Sequence, residues 1–501
     1  MGVIARQSIK GAIANYIGVG IGFFVSFFVL TRYLTQEEIG LTRVMVDAAL
    51  LFSSLAQLGT NASIVRYFPY FKGGRDNHGI FGLSVLLPLV GFSLFALAFL
   101  VFRQPLLEVY SQNAPLLADY FYLVPMLTFF ALYTTVFETN ASVLMRITVP
   151  KLVREVGIRL FNLAAYLLYG YRLISLDVFV WMFCGSYGLA MLLNLLYLFR
   201  LGHISLRIDR RFLDREKRKE IGRYSLFMTA TVLAGNIPLF NSLFLGAKAG
   251  LALTGVYTIA SFIANVVEVP YRSLGAISRP VIAASVKEED WAEVKRLGRQ
   301  VSLHQLMVST AILYLIYINL DTLFALIPNG QDYVGGKPVV LILGLAKVVN
   351  SSFSVCTDIL NFSRRYRWSL AYIALLTAMA IGLNSALAGG SAAINGAAGA
   401  TLIAYTCYFV MLFRDLQVHL GVNVFGWGQA KMAAVMVVMV AAYMAWDAVE
   451  PALGMGLIAA AVVRTALLGA LLAAAVYFGR ISPAVNDIVS KIIPGAFKKN
   501  S

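Results

Sequence analysis

Three long apolar segments of this 501-residue sequence each carry ionisable and hydroxyl side chains along a single helical face. The first face holds Arg43, Asp47, Ser54, Gln57 and Asn61, which fall within about 40° of one line at about 100° per residue. The second holds Thr254, Thr258, Ser261, Asn265, Glu268 and Arg272, and the third holds Lys347, Ser351, Ser354, Asp358, Asn361 and Arg365. A charge at the centre of a membrane helix costs about 2.5 to 3.5 kcal/mol, so these side chains should face water or one another. The pattern favours binding and passage of a polar ligand over covalent catalysis.

Two further segments have weaker polar faces. Their side chains are Thr128, Thr135, Thr139, Ser142 and Arg146 in one segment and Glu155, Arg159 and Asn162 in the other. Hydroxyl and amide groups commonly hydrogen-bond between packed membrane helices, which explains most single Ser and Thr residues. For Arg43, Asp47, Glu268, Lys347 and Asp358 we favour a cavity lining, because packing does not require ionisable groups at several depths. The alternative is buried ion pairs, such as Arg43 with Asp47 one turn on.

The segments that position these faces are predicted to cross a membrane. Hydrophobic residues make up 59% of the chain and charged residues only 13%, and the mean hydropathy is +0.76. Because one crossing needs roughly 20 apolar residues, we predict an all-α polytopic membrane helix bundle of about fourteen transmembrane helices. The predicted spans are residues 11–31, 40–61, 80–102, 116–137, 153–171, 177–199, 223–246, 253–273, 301–324, 337–358, 368–388, 393–413, 427–446 and 455–478.

The distribution of Lys and Arg predicts the orientation. With the N-terminus in the cytoplasm, basic residues collect in every inner loop, and only the last pair of loops departs from the alternation. The net charge of +16 is then concentrated on the cytoplasmic face, and both termini are cytoplasmic. The basic segment 201–222 is predicted to be an amphipathic linker on anionic lipid. This is a membrane-surface pattern, so we expect no nucleic-acid partner.

Small and sulfur-containing residues give two further expectations. Gly18, Gly22 and Ser26 form a small-xxx-small face, which lets helices approach closely. Cys184, Cys356 and Cys407 all lie inside predicted spans. They are too few and too scattered for a disulfide framework or a metal cluster, so we expect no metal site.

The polar faces also repeat along the chain. The faces of the second and eighth spans match, as do those of the fourth and tenth, and the members of each pair lie six helices apart. We therefore predict an N-terminal lobe at 1–200, the linker at 201–222, a C-terminal lobe at 223–414, and two extra helices with the tail at 415–501. Parallel six-helix halves are a transporter architecture.

Several short motifs resemble those of a known family. They are Thr31-Arg32-Tyr33-Leu34 with Gly40, Gly59 ahead of Arg66, Gly255-Val-Tyr257 with Pro270 and Pro280, and Asn395-Gly-Ala-Ala-Gly-Ala. Together they resemble the polysaccharide (O-antigen) flippases of the multidrug/oligosaccharidyl-lipid/polysaccharide exporter superfamily. The resemblance covers essentially the whole chain.

The resemblance implies a V of two six-helix lobes in the bacterial inner membrane, opening alternately to cytoplasm and periplasm. The cargo it implies is an oligosaccharide on undecaprenyl pyrophosphate, flipped for the synthesis of surface polysaccharide such as the O-antigen of lipopolysaccharide. The cavity residues it implies for pyrophosphate and sugar are Arg32, Arg43, Asn61, Arg159, Asn265, Arg272 and Lys347. Asp47, Glu268 and Asp358 would tune charge or couple to cations, and their presence departs from a purely cationic cavity. The two extra C-terminal helices would shape a groove for the lipid tail.

The family resemblance also indicates the expected partners and the alternative functions. We expect lipid-linked oligosaccharide, membrane lipids and glycan-assembly enzymes as partners, and no cofactor, with H⁺ or Na⁺ coupling open. A drug/cation antiporter of the same superfamily is the first alternative. A membrane-embedded glycan polymerase or glycosyltransferase is the second, although the short outer loops and the lack of an Asp-x-Asp motif speak against an enzyme.

Overall fold

The computed structural model describes residues 17–71, 75–202, 206, 215–234, 237–390, 392–483 and 486–487. Throughout this part of the chain the regular elements are helices, which confirms the predicted all-α class. Most of the linker predicted at 201–222 and both ends of the chain lie outside the described residues.

Twenty α-helices follow one another in the described chain. They are α1 Ile17–Tyr33, α2 Gln36–Ala56, α3 Thr60–Phe71, α4 Ile80–Ser111, α5 Pro115–Tyr120, α6 Leu123–Val143, α7 Thr148–Leu152, α8 Ile158–Gly170, α9 Leu176–Leu201, α10 Arg215–Ala234, α11 Ile237–Lys248, α12 Leu251–Asn265, α13 Val269–Lys287, α14 Trp291–Ile318, α15 Leu320–Leu326, α16 Lys337–Phe362, α17 Tyr366–Leu387, α18 Ala393–Leu420, α19 Trp427–Val449 and α20 Leu457–Phe478. Helix α1 contains a π-helical segment, Val25–Leu30, and a second π segment, Val153–Gly157, joins α7 to α8.

Ten helical stretches of the described chain are long and apolar enough to cross a membrane. The predicted spans 11–31, 116–137, 153–171 and 223–246 are not among them. The described part of the first is the shorter helix Ile17–Tyr33, and the second is divided between α5 and α6. The third contains the π segment, and the fourth is described as α10 and α11, with residues 235–236 outside the described part of the chain. A turn interrupts the second of these spans, and the charged side chains of Arg154, Glu155 and Arg159 lower the hydropathy of the third.

Large apolar side chains on the surface agree with a lipid environment. On α4, Leu94, Leu97 and Leu100 are 59%, 61% and 69% exposed. A soluble fold avoids such a run of exposed leucines along one helix, whereas a bilayer solvates it. The polar side chains of the neighbouring helix α2 are instead turned inward.

The chain divides into two compact units. Unit 1 takes Met1–Ile259, Ile327–Asp332 and Thr377–Ala397, and unit 2 takes the remainder. The division into four segments predicted from the sequence follows the internal repeat instead, and it stays a prediction.

In unit 1, helix α2 begins at a complete capping box. The Thr35 hydroxyl accepts from the backbone N–H of Glu38, and the Glu38 carboxylate accepts from the backbone N–H of Thr35 at 2.8 Å. This arrangement satisfies two amide donors that have no partner inside the helix. The phenol of Tyr169 on α8 donates to the same carboxylate, at 2.5 Å. The start of α2 is therefore fixed both locally and by a neighbouring helix.

Helices α2 and α12 cross in unit 1 at a symmetric pair of glycines. A Cβ on Gly40 would lie 2.0 Å from the Leu251 carbonyl oxygen, and a Cβ on Gly255 would lie 2.1 Å from the Gln36 carbonyl oxygen. Gln36 and Leu251 are separated by the same number of residues as Gly40 and Gly255. The glycine of each helix therefore contacts the equivalent carbonyl of the other helix. Only glycine permits this approach.

The small-residue face of α1 packs as its sequence predicts. A Cβ on Gly18 would lie 2.8 Å from the Glu155 carbonyl oxygen, and one on Gly22 would lie 2.7 Å from an Arg159 guanidinium nitrogen. Helix α1 therefore lies directly against the segment that carries both charged residues.

In unit 2 the last two helices pack on α14. Their shared core contains Met307, Tyr314 and Met439, and the Tyr314 phenol donates to the Met439 carbonyl at 2.9 Å. Arg464 on α20, which belongs to none of the predicted polar faces, is 5% exposed. It contacts Glu450 at 3.1 Å and donates to Thr322 at 2.9 Å. This arginine therefore connects α20 with α15 and with the segment that follows α19.

Candidate ligand-binding site in the membrane

The polar face of α2 is organised in unit 1 around a buried aspartate. The Arg43 Nε atom lies 2.6 Å from Asp47 Oδ2, one helical turn away. The Ser242 hydroxyl on α11 donates to the same oxygen at 2.5 Å. The Asp47 side chain is 3% exposed and that of Arg43 is 24% exposed. The carboxylate is thus enclosed, while part of the guanidinium stays accessible.

A chain of hydrogen bonds continues from this pair within unit 1. Asn241, beside Ser242, donates to the Tyr257 phenol at 2.5 Å and accepts from the Asn384 amide at 2.9 Å. The Tyr257 phenol also interacts electrostatically with Arg43 and Asp47. Buried polar groups that are hydrogen-bonded to one another hold a fixed arrangement. Helices α2, α11, α12 and α17 are linked in this way.

A second arginine approaches the same region. The phenol of Tyr187 on α9 interacts electrostatically with Arg43, Asp47 and Arg159. Arg159 lies 3.2 Å from Glu155, and its Nη1 atom is buried without a hydrogen-bond partner. An unsatisfied guanidinium N–H is costly to bury, and an anionic ligand would satisfy it. Arg43 and Arg159 are therefore the predicted cations that unit 1 brings close to one tyrosine.

Unit 2 contains a separate buried pair. Glu268 ends a short 3-10 turn, Val266–Glu268, that interrupts the polar face between α12 and α13. Its carboxylate lies 3.1 Å from Lys347 Nζ on α16 and accepts from the Asn350 amide at 2.8 Å. The side chains of Lys347 and Glu268 are 10% and 11% exposed. Pro270 lies in the first turn of α13. A backbone N–H there has no acceptor within the helix, so the lack of an N–H in proline costs no helical hydrogen bond.

Asp358, the third predicted carboxylate, pairs with a residue that the sequence did not single out. Its Oδ2 atom lies 3.2 Å from Arg279 Nε, and Arg279 also donates to the Tyr271 phenol at 2.8 Å. The Arg279 side chain is 46% exposed and that of Asp358 is 17% exposed. All three predicted acidic residues are therefore ion-paired.

The remaining predicted residues are more dispersed. Arg32 is exposed, and its guanidinium lies 5.6 Å from the centre of the Tyr33 ring. Asn265 is exposed at the end of α12, and Asn61 is partly buried with an unpartnered Oδ1 atom. The side chain of Arg272 lies outside the described part of the structure. Their roles in binding stay predictions.

Sequence reasoning missed several partners of these residues. They are Ser242, Asn241, Tyr187, Tyr257, Asn384, Asn350 and Arg279. Asn241 and Ser242 are adjacent polar residues in an apolar segment, which is a usable signal. Tyr187, Tyr257 and Asn384 belong to none of the predicted polar faces, so helical phase did not distinguish them from packing residues. Chemically, the assembled groups can bind an anion and hydroxyl groups, and the paired carboxylates can exchange protons or cations.

A comparison with protein-family models identifies the family of this protein. The family model described as "Polysaccharide biosynthesis protein" matches residues 5–286, which is more than half of the chain. The chain belongs to this family. No curated protein matches the chain.

Solved structures agree with the polysaccharide biosynthesis family in fold. The structure of the lipid II flippase MurJ in an inward closed conformation has a TM-score of 0.69 at 12% identity, covering 92% of this chain and 98% of that one. An inward-facing multidrug resistance MATE transporter of the MOP superfamily has a TM-score of 0.61 at 16% identity, covering 87% and 99%. A MOP superfamily transporter from Pyrococcus furiosus has a TM-score of 0.52 at 15% identity, covering 83% and 96%.

The family match confirms the resemblance deduced from the sequence motifs, and the fold is shared with the structures of MurJ and a MATE transporter. The chain is a multi-pass membrane protein with a transporter fold. At such low identities the structural likeness establishes the fold alone.

Proposed function

We propose that this protein flips a lipid-linked oligosaccharide, carried on undecaprenyl pyrophosphate, from the cytoplasmic to the outer leaflet of the bacterial inner membrane. The observation that carries the proposal is a pair of arginines in unit 1, the partly accessible Arg43 and Arg159 with its unpartnered Nη1 atom, in a chain of the polysaccharide biosynthesis family. A pyrophosphate needs charge-assisted hydrogen bonds when it leaves water, and guanidinium groups supply them. Hydroxyl and amide groups on the same helices suit the sugars.

The glycine crossing supports alternating access. Helices α2 and α12 begin at equivalent places in the two repeats and touch through Gly40 and Gly255. At the glycines the contact is made by backbone atoms, and separation of the helices would also break the hydrogen bonds that link α2 to α12 through Ser242 and Asn241 of α11. Separation there would open a path on the side where both helices begin, which the loop charges predict to be periplasmic.

The paired carboxylates support a coupling role. In this proposal Asp47, Glu268 and Asp358 balance the cations between transport steps and exchange partners with H⁺ or Na⁺. Each carboxylate lies beside a cation, Arg43, Lys347 or Arg279, which an arriving anion could draw away. The identity of the coupling ion follows from transport measured under separate H⁺ and Na⁺ gradients.

A drug/cation antiporter is the second candidate, and the likeness to a MATE transporter is the observation that favours it. An antiporter of this kind needs a carboxylate available to a cationic substrate. Here the three predicted carboxylates are already neutralised by Arg or Lys. This pairing favours an anionic cargo.

The proposal is tested in proteoliposomes that contain a polyprenyl pyrophosphate with a fluorescent disaccharide. Dithionite added outside quenches only the outer leaflet, so flipping appears as loss of the protected signal. Arg43→Ala and Arg159→Ala should lower the initial rate about ten-fold or more, since a hydrogen bond to a charged group contributes about 1.5 to 3 kcal/mol.

Arg103→Ala is the matched control, because Arg103 is an exposed arginine on α4 outside the polar faces. It should flip at the wild-type rate. Wild-type rates for both test variants would refute the assigned roles. Ethidium export by the wild-type protein, with no flipping of the lipid probe, would establish the antiporter instead.

A further inference from the structure

A cavity of about 370 Å³ lies between α17 and α18 in unit 2, apart from the buried ion pairs. It is lined by Tyr372, Met411, Arg414, Asp415, Val418 and His419. We propose that this cavity binds the phosphate headgroup of an anionic phospholipid such as phosphatidylglycerol. None of the residues that line the cavity belongs to the predicted transport faces, and Arg365 of the third face is connected to it through Asp415, so this site is additional to the proposed function.

Asp415 organises the charges around the cavity. Its carboxylate is 4% exposed and lies 2.9 Å from Arg365 Nη2 and 3.0 Å from His419 Nδ1. The Tyr372 phenol forms a hydrogen bond with the same carboxylate. Three groups therefore converge on one buried acid, which fixes the cavity wall and neutralises the charge of Arg365.

Arg414 supplies the uncompensated charge. It is exposed, it lines the cavity, and within the described residues it has no ion-pair partner. A guanidinium group forms two parallel hydrogen bonds with a phosphate, which matches a headgroup better than a sugar or an amine. His419, 46% exposed at the cavity edge, adds a further donor.

The position of the cavity favours a lipid as the source of the phosphate. Helix α17 begins at Tyr366 and α18 ends at Leu420, so the cavity lies at one end of both helices. Trp368, 53% exposed, lies at the same end beside Arg365, with the guanidinium 5.4 Å from its ring centre. Exposed tryptophan and arginine together mark the headgroup level of a bilayer.

The apolar part of the wall fits the remainder of the lipid. Met411 lines the cavity toward the middle of α18, and Val418, which lines it nearer the end of the same helix, is 68% exposed. A soluble phosphate would gain nothing from these side chains, whereas the glycerol and first acyl carbons of a phospholipid would cover them. The wall therefore has a cationic part and an apolar part, as the headgroup and glycerol region of a phospholipid require.

The test is calorimetric titration of the purified full-length protein in detergent with dioctanoyl phosphatidylglycerol, dioctanoyl phosphatidylcholine and glycerol 1-phosphate. Phosphatidylglycerol should bind, and the other two should bind at least about five-fold more weakly. Arg414→Ala should weaken phosphatidylglycerol binding about five-fold, since one interfacial arginine contributes about that factor, and Arg414→Glu should weaken it further. Arg414→Lys should retain most of the affinity.

Arg367→Glu is the matched control. Arg367 is an exposed arginine at the same end of α17, but it does not line the cavity. Its reversal should leave the affinity nearly unchanged. Equal losses from Arg367→Glu and Arg414→Glu would show diffuse attraction to the surface and overturn the site. Equal affinity for glycerol 1-phosphate would overturn the assignment to a lipid.

Discussion

Two of the ion pairs described above, Arg43–Asp47 and Lys347–Glu268, differ in how their partners are brought together. In unit 1, Arg43 and Asp47 lie one turn apart on a single helix, and Asp47 is linked to another helix through Ser242. In unit 2, Lys347 of α16 meets Glu268, which lies 79 residues earlier in the chain. The first pair is local, whereas the second forms only when separate elements pack.

This difference has a consequence for membrane folding. Helices in a bilayer form first as separate spans and then associate. A pair at i and i+4 exists in the isolated span and lowers the cost of inserting both charges. A pair between elements contributes only at association. We infer that Arg43–Asp47 contributes to insertion in addition to its proposed transport role, and that Glu268–Lys347 contributes to the stability of unit 2 in addition to its own.

The largest effect is expected from Lys347→Met. This change leaves the Glu268 carboxylate in a mostly buried position with Asn350 as its hydrogen-bond donor. Breaking a buried pair by removing one partner costs about 3 to 5 kcal/mol. The free energy of unfolding, measured by titration with sodium dodecyl sulfate in mixed micelles, should fall by about this amount.

The double variant Lys347→Met with Glu268→Gln is the control for this change. It removes both charges and keeps an amide that can hydrogen-bond with Asn350. Most of the lost stability should return, because the unpaired charge is gone. A double variant as unstable as Lys347→Met alone would mean that shape, and not charge, holds this region together.

A smaller effect is expected from Ser242→Ala. The Ser242 hydroxyl donates a hydrogen bond to Asp47 from another helix, and Ser242 is 1% exposed. A hydrogen bond to a charged group contributes about 1.5 to 3 kcal/mol. The free energy of unfolding should fall within this range. Ser93→Ala is the matched control, because the exposed Ser93 hydroxyl bonds only to the Leu89 carbonyl of its own helix.

The same contrast explains how much could be predicted from the sequence. Helical phase identified Arg43 with Asp47, because their contact depends only on the geometry of one helix. It placed Glu268, Lys347 and Asp358 on polar faces, but it gave no packing partners, so neither Asn350 nor Arg279 was found. Gly40 and Gly255 were noted as residues of the family motifs, while the contact of each with a carbonyl of the other helix required the packed structure.

The interrupted spans were unpredictable for a related reason. Hydropathy averages over a window of residues, so it does not register a two-residue break such as the one between α5 and α6. The π segments at Val25–Leu30 and Val153–Gly157 shift the helical phase without changing composition. Glu155 lies within the second of these segments, and Arg159 is the second residue after it, so their directions could not be derived from an ideal helix.

The smallest effect on stability is expected from Arg43→Met. The lost partner belongs to the same helix, so the unpaired aspartate is present in the separate span as well as in the packed fold, and most of its cost cancels. The free energy of unfolding should change by about 1 kcal/mol or less, below the change from Ser242→Ala. Flipping should nevertheless fall about ten-fold, because the accessible part of the guanidinium is the proposed phosphate ligand. Arg43→Lys should keep the stability and recover part of the rate, since it restores the charge without the planar fork. A loss of stability as large as that of Lys347→Met would show that the local pair is held by tertiary packing after all, and the two regions would then differ only in sequence separation.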